Sequence, residues 1–519
     1  MKKSLKNFSA WLVGLSLLYL LTHLIGLTTL PVFADEAIYL RWAQLIIDDW
    51  RQYLFFPMND GKTPLFIWLL VGPLKIFSDP LLAGRLVAVM AGFAQWWLGV
   101  KIIKQLGGKG VAQLVAALSF SLLPFWYFHH RMALMDGWLV VLLSASYLLL
   151  LKATQTKKNV KLLIISGLSF GLALLTKIPA LLFIPSLILA PILVKPKKAT
   201  LAAAASWSSG VLLVGLVVFL SLKLHPAFGQ LFNRGNDFLY SFEELLSAGV
   251  WPVLIGNSRA ALMAFGRYLT WPIVLLPLAG LFQDSWRRKH ALLILSSLGF
   301  LLPILLLGKT IYPRYLLPAA LPLTLSAALV FEQFLFHTQR RLKKPFEALA
   351  RSIAIVLVIT FTVSTALEFT LISWQNPGYL SFVPVDRQQY LADWSSGHGI
   401  KETTELLVKS AQYQTIAVAT EGYFGTLPDG MLMYLHNQDV RNIKVEGIGQ
   451  PVREIPLNFR QRAQEYDRVW LVVNSHREKI GLATTTATLL QSYPRFSGAP
   501  SLEVWDITSL VHSAEQTTE

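Results

Sequence analysis

The chain has 519 residues, of which 54% are hydrophobic and 15% charged, with a mean hydropathy of +0.50. Soluble globular chains are about a quarter charged, so this composition indicates a polytopic membrane protein. The net charge of +16 first suggests cytoplasmic loops that obey the positive-inside rule; the bases are spread along the chain, which argues against a nucleic-acid partner. The absence of cysteine excludes disulfides, thiolate metal sites and cysteine nucleophiles.

In chain order, the amino-terminal segment combines a basic start with an apolar run at 10–30. That run is long enough to span a bilayer, and Leu30-Pro31 does not look like a signal-peptide cleavage site. Further apolar stretches follow at 82–103, 111–128, 137–151, 161–176, 178–194, 200–222, 265–282, 291–307, 315–336 and 351–372, for about eleven spanning helices in all. Every second connection is basic: Lys2, Lys3 and Lys6; Lys101, Lys104 and Lys109; Lys152, Lys157, Lys158 and Lys161. Lys195, Lys197 and Lys198 continue the series, followed by Arg287, Arg288 and Lys289, then Arg340, Arg341, Lys343 and Lys344. This alternation puts the amino terminus in the cytoplasm and the carboxy-terminal region outside the cell membrane.

Two long external loops are expected, at 31–81 and 223–264. In the first, Ile38, Trp42, Leu45, Ile46 and Tyr53 recur near helical spacing. The spacing suggests a helix lying in the membrane interface among lipids, aromatic side down; packing on its neighbours is an equally good and compatible reading. Beyond 385 the pattern changes. IKETTELLVKSAQ reads as a helix, and YQTIAVAT, NIKVEG, DRVWLVV and LEVWDI as strands, giving a small soluble α/β domain over 386–519. The loop EGYFGTLPDG after the first strand is read as an ordinary connection, with ligand binding at a strand end the lesser alternative.

Charged groups from distant parts of the sequence fall on the expected outer face: Asp35-Glu36, Lys62 in NDGKTPLFIW, Arg131 and Asp136 in HHRMALMDG, Lys177 in LTKIP, and Arg314-Tyr315 in KTIYPRYLLP. Each has a bland reading. A cation at a helix end snorkels to the headgroups, and an Asp at a helix start is a cap. Together they suit glycosyl transfer from a lipid phosphate: Lys and Arg bind the anionic leaving group, and a carboxylate takes the acceptor's proton. A transporter or flippase of lipid-linked saccharides is the alternative. It should show an internal repeat or broken helices near the midplane, and the sequence shows neither.

These motifs resemble the integral-membrane GT-C glycosyltransferases, in the group of protein O-mannosyltransferases and lipid A aminoarabinose transferases. The likeness rests on Asp-Glu after the first helix with Tyr39 following, GKTPLFIW, RMALMD, LTK and RYLLPAALP, and covers 1–385. It implies an all-α polytopic bundle of GT-C fold, an external active site and a polyprenyl-phosphate sugar donor. By resemblance Asp35 matches the catalytic acidic position and Glu36 its neighbour, Lys62 a basic position that contacts donor phosphate, Asp136, with Arg131 before it, the acidic position of the second external turn, and Lys177 and Tyr315 recurrent ones. For the chemistry above, Asp35 is expected as the general base, Glu36 and Asp136 as supporting acids, and Lys62, Arg131 and Arg314 as the anion-binding groups. No cofactor is implied; a divalent cation could sit between the acids, although no His-rich ligand set supports one, and His129 and His130 are read as structural. Relatives carry His-Pro-Pro or Lys-Pro-Pro where this chain has Lys62-Thr63-Pro64. The carboxy-terminal domain does not resemble the β-trefoil of eukaryotic protein mannosyltransferases, so the acceptor class, whether lipid, glycan or protein, stays open.

Overall fold

The computed structural model describes residues 2–155, 159–194, 201–284, 286–336, 345–438 and 441–513. Of the basic connections, Lys157, Lys158, Lys195, Lys197, Lys198, Arg340, Arg341, Lys343 and Lys344 lie outside the described residues. In hydrocarbon the backbone has only its own helix for hydrogen-bond partners, and the long apolar runs are accordingly helical. Together with those of the carboxy-terminal region, the helices begin with α1 (Lys2–Leu24), α2 (Ala34–Asp48), α3 (Leu65–Ile76), α4 (Pro80–Gln105), α5 (Gly110–Leu122), α6 (Met135–Gln155), α7 (Val160–Thr176) and α8 (Ile184–Val194). They continue as α9 (Leu201–Leu220), α10 (Val250–Phe265), α11 (Trp271–Ala279), α12 (Arg287–Leu307), α13 (Leu317–Phe336), α14 (Pro345–Gln375), α15 (Ile400–Ser410) and α16 (Met431–Leu435).

Among the described residues, 7 spans are long and apolar enough to cross a membrane: Pro80–Gln105, Met135–Gln155, Ala204–Leu224, Val250–Phe282, Arg287–Leu307, Pro313–Leu335 and Ile355–Gln375. Ala10–Leu24, Leu65–Ile76, Gly110–Leu122, Val160–Thr176 and Ile178–Val194 are apolar but shorter. The expected stretches fall on these helices, some of them below full spanning length. One boundary differs. The stretch expected to begin at 265 starts instead at Val250, inside the supposed loop 223–264. A π-helical turn at Gly266–Thr270 joins α10 to α11, and it sits just before Pro272, whose ring and missing N–H disturb regular helix.

Contacts divide the chain into two compact units: Met1–Leu27, Leu54–Phe66 and Arg85–Val383 in one; Thr28–Tyr53, Ile67–Gly84 and Pro384–Glu519 in the other. The break at Val383 lies close to the expected domain boundary at 385, but the first loop, expected to belong wholly to the membrane part, is shared out between the units.

In the first unit the most enclosed spans are Pro313–Leu335, 83% buried, and Met135–Gln155, 72% buried. Ile355–Gln375 is 17% buried, so its apolar side chains face outward, as a lipid-facing helix requires. Where α7 meets α9 the backbones nearly touch. A Cβ at Gly167 would fall 2.5 Å from Val214 Cβ, and one at Gly171 2.5 Å from Val218 Cβ. Small residues four apart permit this close approach between helices in lipid.

The second unit is built on a five-stranded sheet of order β2-β1-β3-β5-β4, from β1 (Ile416–Glu421), β2 (Ile443–Gly449), β3 (Arg468–Asn474), β4 (Thr488–Tyr493) and β5 (Leu502–Asp506). β1 runs parallel to β2 and β3, with Ile416 opposite Ile443 and Arg468. β5 is antiparallel to β3 and β4. Every residue of β1 is buried, as a central parallel strand demands. One face packs Ala417, Ala419, Leu471 and Val473 with Phe459, Trp505 and Val511. The four expected strands and the helix α15 are all present. β4 is the strand the sequence did not signal: as an edge strand it is almost wholly exposed and has no apolar alternation to read.

Candidate active site

The two most enclosed spans of the first unit carry charged residues at their starts. Asp136 stands in the first turn of α6, where the helix macrodipole favours an anion. Lys177 ends α7 with extended backbone, which turns its side chain out of the helix. Its Nζ lies 2.7 Å from Asp136 Oδ1 and 4.2 Å from the centre of the Tyr315 ring. Tyr315 and Arg314 belong to the tight turn Pro313–Leu316 before α13. The Arg314 guanidinium lies 5.2 Å from the Tyr312 ring and 5.4 Å from that of Tyr315. Asp136 and Arg314 are buried. The structure thus gathers Asp136, Lys177, Arg314 and Tyr315, with Tyr312 added.

This group brings an ammonium and a guanidinium together with a carboxylate and two tyrosine rings. Only one of the three Lys177 donors is used by Asp136, so the ammonium can also serve an external anion. The surrounding tyrosine faces stabilise cations, and the enclosed setting strengthens each electrostatic contact relative to water. Such a group suits a phosphate. His129, close by, is buried with Nδ1 2.7 Å from Phe125 O, and His130 is fully buried.

Lys62 belongs to a different cluster in the same unit. It follows the turn Phe56–Asp60 and Gly61, whose φ of 71° is left-handed. Arg234 pairs with Asp60 at 2.7 Å and with Asp237 at 2.8 Å. Lys62 Nζ lies 5.5 Å from the Phe238 ring, and Arg234 5.8 Å from the same ring. The loop carrying Lys62 is therefore pinned to the segment around Arg234. The i,i+3 spacing of Arg234 and Asp237 was a readable local signal; the distant partner Asp60 was not.

Arg131 is engaged by backbone carbonyls. Its Nη1 donates to the carbonyls of Thr22, His23 and Ile25 at 2.9, 3.0 and 2.8 Å, and its Nη2 to that of Gly26 at 2.6 Å. Arg85 Nη1 adds a bond to Leu27 O at 2.9 Å. Thr22 and His23 lie in the last turn of α1 and Ile25, Gly26 and Leu27 in the turn that follows, so Arg131 fastens the end of the helix and its exit, a task that competes with phosphate binding for the same N–H groups.

Asp35 and Glu36 lie in the second unit, in the first turn of α2. Glu36 is fully buried, and its Oε2 accepts from Phe33 N at 3.0 Å, so it caps its own helix. Asp35, beside it, is partly exposed. The apolar side of α2 is occupied: Ile38, Tyr39, Leu40, Trp42 and Ile46 are buried, and Gln44 Nε2 donates to Met433 O at 2.9 Å. The helix packs on its neighbours. Its partner is the loop EGYFGTLPDG with the following α16, which identifies that connection as a packing surface. Among the described residues no group of three or more His, Asp and Glu side chains gathers to hold a metal ion.

With this geometry in view, known proteins place the fold. Residues 61–223 match the family model described as dolichyl-phosphate-mannose-protein mannosyltransferase. The structure of ArnT from Cupriavidus metallidurans in the apo state is similar at 15% identity, covering 97% of this chain and 99% of that one, with a TM-score of 0.59. The same protein bound to undecaprenyl phosphate matches at 16% identity over the same shares, TM-score 0.56. The archaeal oligosaccharyltransferase AglB from Archaeoglobus fulgidus, in complex with an inhibitory peptide and a dolichol-phosphate, matches at 12% identity over 90% of this chain and 69% of that one, TM-score 0.53. No curated protein sequence matches the chain. The chain is thus a multi-pass membrane protein with the GT-C fold, similar to protein mannosyltransferases and aminoarabinose transferases.

Proposed function

We propose that this protein is a glycosyltransferase that moves a single sugar from a polyprenyl-phosphate-linked donor to an acceptor on the outer face of the membrane. The observation that carries this reading is the cluster of Lys177, Arg314, Asp136 and Tyr315 at the ends of enclosed spans, in which the Lys177 ammonium sits between the Asp136 carboxylate and the Tyr315 ring. Solved relatives bound to undecaprenyl phosphate and to dolichol-phosphate support the donor class. In this scheme Lys177 and Arg314 neutralise the lipid phosphate, with Lys62 as a further cation, and Asp136 orients Lys177. The Asp35 carboxylate takes the proton from the acceptor hydroxyl or amine as the acceptor atom bonds to the sugar's anomeric carbon. The anomeric carbon–oxygen bond to phosphate breaks, and polyprenyl phosphate leaves with the electron pair. Glu36 supports Asp35 from the same helix turn, and Arg131 holds the chain after α1.

The test supplies purified protein with a polyprenyl-phosphate sugar or a nucleotide sugar, and membrane extract as acceptor. Transfer from the lipid donor, with stoichiometric release of polyprenyl phosphate, is expected. Transfer from the nucleotide sugar in extract depleted of polyprenyl phosphate would overturn the donor assignment. Movement of radiolabelled lipid-linked sugar across vesicles without transfer would favour a flippase.

A further inference from the structure

The first turn of α2, which bears Asp35, is fixed by backbone contacts within its own unit. Ala34 N donates to Ser395 O at 3.0 Å, Phe33 and Ser396 form an antiparallel bridge, and the Phe33 ring meets Tyr390 edge-on at 4.8 Å. The approach is close enough to exclude a side chain at residue 397: a Cβ on Gly397 would fall 2.2 Å from Val32 O. Ser395–Gly397 is itself gripped from the sheet side. Arg495, which follows β4, donates from Nη2 to Ser396 O at 3.1 Å and from Nη1 to Pro500 O. Thr426 Oγ1 donates to Trp394 O at 2.6 Å. One turn short of the other end of α2, Gln44 is bonded to Met433 O, and His436 Nε2 lies 3.5 Å from Asp48.

A short exposed helix would be held by one or two side chains. Here α2 is held at both ends by backbone-directed bonds, and the grip at its start falls one residue before Asp35. We propose that Ser395–Gly397, fixed by Arg495, together with Gln44, is a positioning element for Asp35, through which the carboxy-terminal α/β domain sets the reactive carboxylate without touching substrate. This rests on the reading of Asp35 as general base. A general base must lie within hydrogen-bond reach of the proton it removes, and displacement of about 1 Å can cost about a hundredfold in rate. The domain thus acts in turnover more than in donor binding.

The test is a double-mutant cycle on the full-length protein in nanodiscs. Gly397→Val should lower kcat about tenfold and Gln44→Ala about threefold, with the KM for the lipid donor within about twofold of wild type. On an Asp35→Asn background, whose residual rate is read with radiolabelled donor, neither change should lower kcat further, because both act through Asp35. Full additivity on that background, or a raised donor KM at unchanged kcat, would overturn the proposal. Wild-type turnover of Asp35→Asn alone is a separate outcome that removes the base assignment itself. Should Gly397→Val not fold, Gln44→Ala carries the cycle.

Discussion

Adjacent carboxylates with different surroundings make the sharpest comparison. Asp35 is partly exposed at the start of α2, whereas Glu36 is buried and accepts the Phe33 N–H. Asp35→Asn should lower turnover by about a hundredfold or more if the carboxylate is the base. Glu36→Gln keeps an oxygen to accept from Phe33 N and should retain activity within about threefold. Steady-state rates of the two variants decide whether the pair divides its work this way. The cations separate similarly. Lys177→Ala should weaken binding of the lipid donor by roughly 1.5–3 kcal/mol, the range for a charged hydrogen bond. Arg131→Ala should instead lower the melting temperature, because four carbonyls at and just after the end of α1 each lose a donor, and leave donor affinity of the folded fraction intact. Residue type told the sequence reader that each cation mattered. Which partner each would choose was not legible, because the ends of α1 and α6 offer a guanidinium or an ammonium equally good anchors, and only long-range packing selects between carbonyl and carboxylate.

At the scale of elements, legibility followed apolar pattern. Spans with continuous apolar runs, and strands such as β1 and β3 with buried β-branched residues, were readable from pattern. The edge strand β4 and the helix beginning at Val250 were not, the first because exposure leaves it no pattern, the second because charged and polar residues such as Asn257 and Arg259 interrupt its start. The segment after α14 supplies a prediction of its own. Burial, then the charge of Arg495, depresses His398 to about 4, and burial followed by Arg477 lowers His476. The unfolded chain therefore binds protons that the folded one refuses. The contribution of His398 is present in full above its unfolded value of about 6.5 and is lost as pH falls from there toward 4, at about 1.4 kcal/mol per pH unit within that window. Glu421 works the other way: burial raises it, so its proton uptake favours the folded state as pH falls. Melting of the full-length protein between pH 7.5 and 5 should show falling stability toward acid, and His398→Gln should flatten that slope. An unchanged slope in the variant would assign the effect elsewhere.

For the whole molecule, the open quantity is the number and direction of crossings. The sequence set about eleven; helix length and apolarity among the described residues support 7 outright, with further short helices between them. The short ones matter for sidedness, because dropping any one of them inverts everything downstream. Charge supplies the independent constraint. Lys101, Lys104 and Lys109 at the α4–α5 connection and Arg287, Arg288 and Lys289 at the start of α12 fall on one side only if α5 to α11 make an even number of crossings, as they do when α5, α7 and α8 each cross. The absence of native cysteine makes this measurable one residue at a time. Ser78 and Gln412 are exposed in the second unit, and Gln155 and Asp284 are exposed at ends of the first unit's helices. Single cysteines at Ser78 and Gln412 should react with an impermeant thiol reagent in intact cells, and those at Gln155 and Asp284 only after lysis. Labelling at Gln155 but not Asp284 from outside would mean that one short helix fails to cross between them. Labelling of both from outside, with Ser78 protected, would invert the bundle and put Asp35 on the face opposite the proposed reaction.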